Sequence, residues 1–306
     1  MEANRISGEI KTAKQTVDEL LLKFIKKQHG SEGNLLTGLS ELDKITFGFS
    51  KGELSIIAGR PGMGKTALIL QLALNMARND KRVLFYSIDQ SAELLMIRAM
   101  SGLAEIFISK IQQLNLTEEE HKRLFNASQK IAEMQLSIAG NPPHHVRDFI
   151  YQCSKDIYKI LPEVIFIDYL QLFRSNNNIR HNNWRMAHLM RELKAISNEF
   201  NIAIIVASQL SRSVEMRGGT KRPVLSDLHD NGAIEQEVDK VIFIYRPEYY
   251  LIDFDEDNNP TAGVMELIVA KNRNGALDTV KVKFDDKFIC VSDSEEFAAR
   301  EKLFTE

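Results

Sequence analysis

Hydrophobic and polar positions divide the 306-residue chain into two unequal parts. Over residues 1–34, Ile6, Ile10, Ala13, Val17, Leu20, Leu21 and Phe24 recur at three- and four-residue steps with charged and polar residues between them, which predicts an amphipathic helix. Gly30-Ser31-Glu32-Gly33-Asn34 follows it, a glycine and polar stretch expected to form a flexible joint. Two readings of the apolar stripe stand: it packs on its own domain, or it crosses the joint and lies in a groove of a neighbouring subunit. The joint favours the second.

From residue 35 onward the period changes. Leu54 to Ala58, Arg82 to Ile88, Glu163 to Asp168, Asn201 to Ala207 and Lys240 to Tyr245 are short, almost continuously apolar runs separated by helical stretches. Strands buried on both faces of a parallel sheet read this way. Near the C-terminus, Val264 to Val269 and Thr279 to Phe284 flank Asn274-Gly275, a hairpin signal, so the parallel sheet is expected to carry an antiparallel C-terminal extension. Ser175 to Asn183 is polar and asparagine-rich and reads as a loop.

The first of these strands delivers the main chemical signal. Gly59-Arg60-Pro61-Gly62-Met63-Gly64-Lys65-Thr66 is glycine, four residues, then glycine, lysine and threonine, placed after an apolar strand and before Ala67 to Leu74, a run of good helix formers. In that context the loop's backbone and the helix N-terminus bind the phosphates of a nucleotide. Lys65 is expected on the β/γ oxygens and the Thr66 hydroxyl on Mg²⁺. Asp168 ends an apolar strand and is the expected metal-side carboxylate. Asp89, which ends the Arg82 to Ile88 run, is the candidate for orienting or deprotonating an attacking water, with Glu93 one helical turn away as the fallback. Gln209, ending the Asn201 to Ala207 run, is placed to sense the γ-phosphate.

Composition narrows the alternatives. Lys and Arg number 39 against 42 Asp and Glu, a net charge of −3, so nucleic-acid binding must be local rather than a property of the whole surface. No apolar run is long enough to span a bilayer and no signal-peptide pattern opens the chain, which places it in the cytoplasm by expectation. Cys153 and Cys290 have no CxxC neighbour and read as reduced core thiols.

Thr37 to Asp43, Arg60 to Thr66, Ile167 to Leu172, Ser208 to Glu215, Lys221 to Pro223, Gly232 to Gln236 and Ala270 to Gly275 form an ordered set spread from about Leu36 to Phe288. Taken together, these segments resemble the RecA-type motor domain of DnaB-family replicative helicases. The resemblance implies a RecA-like P-loop fold over 35–306, preceded by the amphipathic linker helix. It also implies ATP hydrolysis with Mg²⁺, a hexameric ring on single-stranded DNA, 5′→3′ polarity, and contacts with primase or a helicase loader. Lys271 and Arg273 fall on the family's basic pair that reaches the neighbouring subunit's site. The ring is then expected to close through the linker helix and this face. Arg212, Arg217, Lys221, Arg222, His229, Asp230 and Gly232 fall on its DNA-facing loops, and no aromatic residue interrupts that basic cluster in sequence.

The sequence departs from the family pattern at four points. Asp89 stands where the family's Ser-Leu-Glu-Met-Ser motif has glutamate, one methylene longer. His229-Asp230-Asn231 stands for Arg-Glu-Ser, and Gly62 for a common serine. The family's helical N-terminal domain has no counterpart here, as expected of a separated domain or a shortened relative. The first two departures keep open a different class of function, a slow or inactive ATP-binding helicase accessory or inhibitor that assembles with a helicase ring.

Overall fold

The computed structural model describes residues 11–28, 34–174, 182–228 and 231–293. In chain order these form α1 (Ala13–Gln28), α2 (Ser40–Thr46), β1 (Leu54–Gly59), α3 (Lys65–Arg78), β2 (Val83–Ser87), α4 (Ala92–Ala104), α5 (Ile108–Gln112), α6 (Glu118–Ala132), β3 (Leu136–Gly140) and α7 (Val146–Ile160). They continue with β4 (Val164–Asp168), α8 (Asn182–Phe200), β5 (Ala203–Gln209), α9 (Ser213–Met216), α10 (Asn231–Glu237), β6 (Lys240–Tyr245), β7 (Val264–Asn272), β8 (Thr279–Asp285) and β9 (Cys290–Ser292).

The strands join in one sheet of order β3-β2-β4-β5-β1-β6-β7-β8-β9. Pairing is parallel from β3 across to β6 and antiparallel from β6 to β9. The apolar runs are buried on both faces because successive side chains alternate. Ile57, Phe85, Phe166 and Ile205 join the core under α3, whereas Ile56, Leu84, Ile165 and Ile204 join the core under α7 and α8. Phe85 and Phe166 stack across neighbouring strands with centroids 6.0 Å apart. Truncating such a buried phenylalanine costs about 3–5 kcal/mol.

Two strands carry no clear sequence signal. β3 is short and only partly buried, and β9 has three residues. The C-terminal hairpin also differs from expectation. β8 pairs β7 from Ile268↔Thr279 outward, so the connection runs over 273–278 rather than a two-residue turn. Gly275 is needed for a close approach, since a Cβ there would meet Asn272 Nδ2 at 2.4 Å and the Ile45 carbonyl at 3.0 Å. β7 outruns the hairpin and pairs β6 as far as Lys240↔Asn272.

Val17, Leu20 and Leu21 of α1 are exposed, so the stripe is not covered by the described part of its own domain. Gly30 to Gly33 of the expected joint lie outside the described residues, whereas its last residue, Asn34, donates its Nδ2 to the Phe47 carbonyl at 2.7 Å; 175–181 of the asparagine-rich segment also lie outside, and its last two residues instead open α8. Cys153 is buried as expected; Cys290 is only half-buried, at the edge strand β9.

Candidate functional site

Because β2, β4, β5 and β1 lie side by side in parallel, their C-terminal ends share one edge, where open α/β sheets bind ligands. The loop leaving β1 turns through Gly62 and Gly64, at φ +81° and +88°, and α3 begins with neither a side-chain cap nor an acidic residue in its first turn. The left-handed backbone requires glycine at Gly64; a Cβ there would also come within 2.9 Å of Met265 Cε, the mobile end of its side chain, and 3.0 Å of Phe284 Cε2. The first-turn N–H groups are therefore left to an anion, helped by the positive end of the helix.

Lys65 Nζ donates to the carbonyls of Gly59 (3.0 Å) and Arg60 (3.1 Å). Burial pulls its pKa down to about 8; Asp168 and Asp89 act against that shift and Arg60 reinforces it. The Thr66 hydroxyl donates to Asp168 Oδ2 at 2.7 Å, which leaves its own lone pairs available. Burial raises the Asp168 carboxyl above the usual range, opposed by the Thr66 hydrogen bond and the Lys65 charge.

These groups line a cleft of about 480 Å³ with Pro61, Gly62, Gly64, Asp89, Arg98, Tyr169, Gln209, Phe284, Asp286 and Ile289. Its size suits a small ligand such as a nucleotide. Asp89 is exposed at the lip, on the turn between β2 and α4, and α4 starts where Ser91 Oγ accepts from the Leu94 N–H at 3.2 Å. Among the described residues no group of three or more His, Cys, Asp and Glu could hold a metal ion unaided. Thr66 and Asp168 together suit Mg²⁺, whose shell phosphate and water oxygens would complete.

The Arg60 side chain turns away from the cleft: it is 6% exposed, with Nε donating to Glu215 Oε1 at 2.9 Å and Nη1 to the Leu210 carbonyl at 2.8 Å, which leaves only its backbone for the loop. It ties the loop to the segment after β5. Met63 is buried, and neither it nor Gly59 lines the cleft.

Sequence reasoning missed two residues. Arg98 of α4 lines the cleft with a buried Nε that has no hydrogen-bond partner among the described residues, and it faces Asp168 and Asp89. A lone arginine within the apolar run Leu94 to Met100 was the available signal. Gln171 holds the neighbourhood of Gln209: its Oε1 accepts from the Gln209 N–H at 2.9 Å, and its Nε2 donates to Ser208 Oγ at 2.9 Å.

The expected DNA-facing cations have unequal surroundings. Arg212 is exposed. Arg217 pairs with the buried Asp227, and Arg222 with the buried Glu266 at 2.6 Å. Lys221 Nζ sits 5.2 Å from the Tyr250 ring centroid and the Arg222 guanidinium 5.5 Å from that of Tyr245. The cluster is thus not free of aromatics in space, because the end of β6 and the turn after it bring tyrosines under it. His229 and Asp230 lie outside the described residues, and Gly232 falls in α10.

Lys271 and Arg273 lie at the opposite end of the sheet. Arg273 donates its backbone N–H to the Asp239 carbonyl (3.0 Å), and Asp239 is hydrogen-bonded to Leu54, the first residue of β1. From Leu54 to Gly59 the strand runs about 17 Å at roughly 3.3 Å per residue, more than an arginine side chain spans.

The comparisons with known proteins agree with this geometry. The family model described as the DnaB-like helicase C terminal domain matches residues 34–293. The chain is 33% identical to the replicative DNA helicase DnaB of Geobacillus stearothermophilus, over 98% of this chain and 64% of that protein. It is 34% identical to the replicative DNA helicase DnaC of Bacillus subtilis (strain 168), over 89% of this chain and 61% of that protein. The chain thus spans a little over half to two thirds of the length of these relatives. Among solved structures, one described as an ATPase domain superposes with a TM-score of 0.79 at 29% identity, covering 90% of this chain and 98% of that one. A DnaB-like replicative helicase described with its interactions with primase superposes equally well, covering 68% of its own chain. No helix among the described residues is long and apolar enough to cross a membrane. With the P-loop cleft, the mixed sheet and the basic pair carried on one chain of this similarity, the protein belongs to the DnaB-like helicase C-terminal domain family.

Proposed function

We propose that this chain is the ATP-hydrolysing motor domain of a ring-forming replicative helicase, which moves along single-stranded DNA and separates the duplex. The observation that carries the reading is the placement of Arg273 at the far end of β1 from its own P-loop, with the side chain 47% exposed. The cation cannot serve its own cleft and is presented outward, as required of a group that acts on a neighbouring copy.

In this reading the first-turn N–H groups of α3 and Lys65 hold the β- and γ-phosphates, and Thr66 with Asp168 holds Mg²⁺. The metal, when bound, neutralises charge on the phosphate oxygens. Asp89 orients the attacking water and takes its proton, while Gln209, kept in place by Gln171, senses the γ-phosphate. Arg273 and Lys271 from the adjoining subunit stabilise the charge that develops in the transition state, so turnover depends on ring geometry. Single-stranded DNA lies along the loops bearing Arg212, Lys221, Arg222 and Gly232. A hexamer closed through α1, a cytoplasmic setting and contacts with primase or a loader follow by similarity to the relatives.

The test is steady-state ATP hydrolysis with and without single-stranded DNA. The unaltered protein should be stimulated by DNA. Arg273→Ala should lose about 10³-fold or more in turnover while still binding nucleotide. A protein with no DNA stimulation, or an Arg273→Ala variant with full turnover, would overturn the proposal.

A further inference from the structure

The residue that holds Arg273 is as informative as Arg273 itself. Asp239, 6% exposed, sits between α10 and β6 with both carboxylate oxygens engaged. Oδ1 accepts from Arg273 Nη1 at 2.9 Å. Oδ2 accepts from Lys194 Nζ of α8 at 2.7 Å and from the Leu54 N–H at 2.9 Å. Its own N–H donates to the Leu54 carbonyl at 2.8 Å. One oxygen therefore belongs to the frame of the sheet, and the other is given to a half-exposed guanidinium.

The frame does not need that second contact. Oδ2 alone serves Leu54 and Lys194, whose Nζ also donates to the Gly52 carbonyl at 2.8 Å, whereas the bond to Oδ1 fixes a long side chain that otherwise gains nothing from being ordered at a surface. Arg273 donates one further N–H to the Gln236 carbonyl at 2.8 Å, and Lys271 Nζ donates to the Glu235 carbonyl at 2.5 Å. Both carbonyls belong to the last turn of α10, whose first turn holds Gly232 of the expected DNA-facing loop. Of the five N–H bonds of the guanidinium, two are used in these contacts among the described residues, and the other three are available to an incoming anion. A one-residue bulge at Ala270, where Val241 faces Lys271 but Ile242 faces Val269, sets the direction of the strand just before the pair.

We propose that Asp239 is the positioning residue of the trans-acting Arg273, and that the carbonyl end of α10 completes the mount, so one seven-residue helix joins the DNA side of a subunit to the cation it lends its neighbour. The proposal rests on the reading of Arg273 as a group acting in trans. An ordered guanidinium meets the neighbour's phosphates without first having to find its orientation, and displacement by about 1 Å at such a group can cost on the order of 10²-fold in rate.

Asp239→Asn separates the two halves of the residue. With its amide oxygen toward Leu54 and Lys194, the NH₂ group faces Arg273, donor against donor, so the frame contact survives and the mount is lost. The expected result is a DNA-stimulated kcat lower by about 10–100-fold, with the KM for ATP within about threefold and a melting temperature close to that of the unaltered protein. The decisive readout is a mixed ring. Asp239→Asn subunits keep an intact phosphate cradle, and Lys65→Ala subunits keep an intact mount, so co-assembly should give more turnover than the sum of the two alone. Should Asp239→Asn fail to fold, Asp239→Asn/Lys194→Met, which leaves no half-buried ammonium without its carboxylate, gives the same readouts. Unchanged kcat in Asp239→Asn or the double variant, or mixtures no more active than the sum, would overturn the assignment while Arg273→Ala remains inactive. Full turnover in Arg273→Ala would instead remove the trans reading beneath it.

Discussion

Thr66 donates its hydroxyl to Asp168 across 2.7 Å, joining the first turn of α3 to the tip of β4, two positions 102 residues apart in sequence. The pair presents a neutral oxygen and a carboxylate side by side, a combination that suits the Mg²⁺ shell proposed above. Asp168→Asn and Thr66→Val should each abolish the Mg²⁺-dependent part of nucleotide affinity and leave the affinity measured in EDTA nearly unchanged. Fluorescent-nucleotide titrations with and without Mg²⁺ check this. Equal losses under both conditions would mean that the pair serves the fold rather than the metal.

Lys65 gives a pH dependence with a definite sign. With a pKa near 8 in the protein and 10.5 in the unfolded chain, the unfolded state binds more protons between those values, so this group's contribution to stability rises with pH across that window. Phosphate bound beside the ammonium raises its pKa again. Nucleotide binding should therefore take up a proton at pH 8–9, and affinity should fall as pH climbs past 8. Calorimetry in buffers of differing ionisation enthalpy measures the uptake, and a value of zero at pH 8.5 would contradict it.

Asp89 sits at the lip of the cleft on a carboxylate arm one methylene shorter than glutamate. Asp89→Glu should raise DNA-stimulated kcat by about tenfold or more, since a general base misplaced by about 1 Å is penalised heavily. Asp89→Asn should lower it by roughly 10²–10⁴-fold, the usual range for losing a positioned base. A slower Asp89→Glu enzyme would show that the site is built around the shorter side chain.

Gly64→Ala combines two penalties, a left-handed backbone that costs an L-residue about 1–2 kcal/mol and a Cβ 2.9 Å from Met265 Cε. The melting temperature should drop by several degrees and nucleotide binding should weaken, because an L-residue disfavours the left-handed turn that aims the loop, even if the end of Met265 moves aside. Thermal unfolding and titration together test this.

The basic loop cluster should divide into two kinds of residue. Arg212→Ala is expected to lower DNA affinity and the salt slope with no change in stability, as for a phosphate contact. Arg217→Ala strips a buried Asp227 carboxylate of its guanidinium and should cost about 1 kcal/mol of stability, discounted from a fully buried pair because the arginine is 39% exposed. Melting curves beside DNA binding at two salt concentrations separate the two classes.

Local chemistry was legible and long-range partnership was not. That Lys65, Thr66, Asp89, Asp168 and Gln209 meet at one edge of the sheet could be read, because each ends an apolar run or sits in a motif recognisable from its neighbours in the chain. Arg98 escaped notice because its role depends on which face of α4 meets the cleft. The direction of the Arg60 side chain was not legible because its partners, Glu215 and the Leu210 carbonyl, lie about 150 residues further on. The basic cluster looked free of aromatics for the same reason, since Tyr245 and Tyr250 reach it only through the fold.

By itself the sequence determined that the chain builds buried parallel strands around a phosphate loop, because alternation, apolar run length and glycine placement act within a few residues. Only the tertiary structure decided that β1 lies between β5 and β6, that β7 carries Arg273 to the end of the sheet away from the phosphate loop, and that Asp239 receives it there. Strand order and side-chain pairing are settled by packing and charge between segments far apart in the chain, and no local pattern records which partner wins.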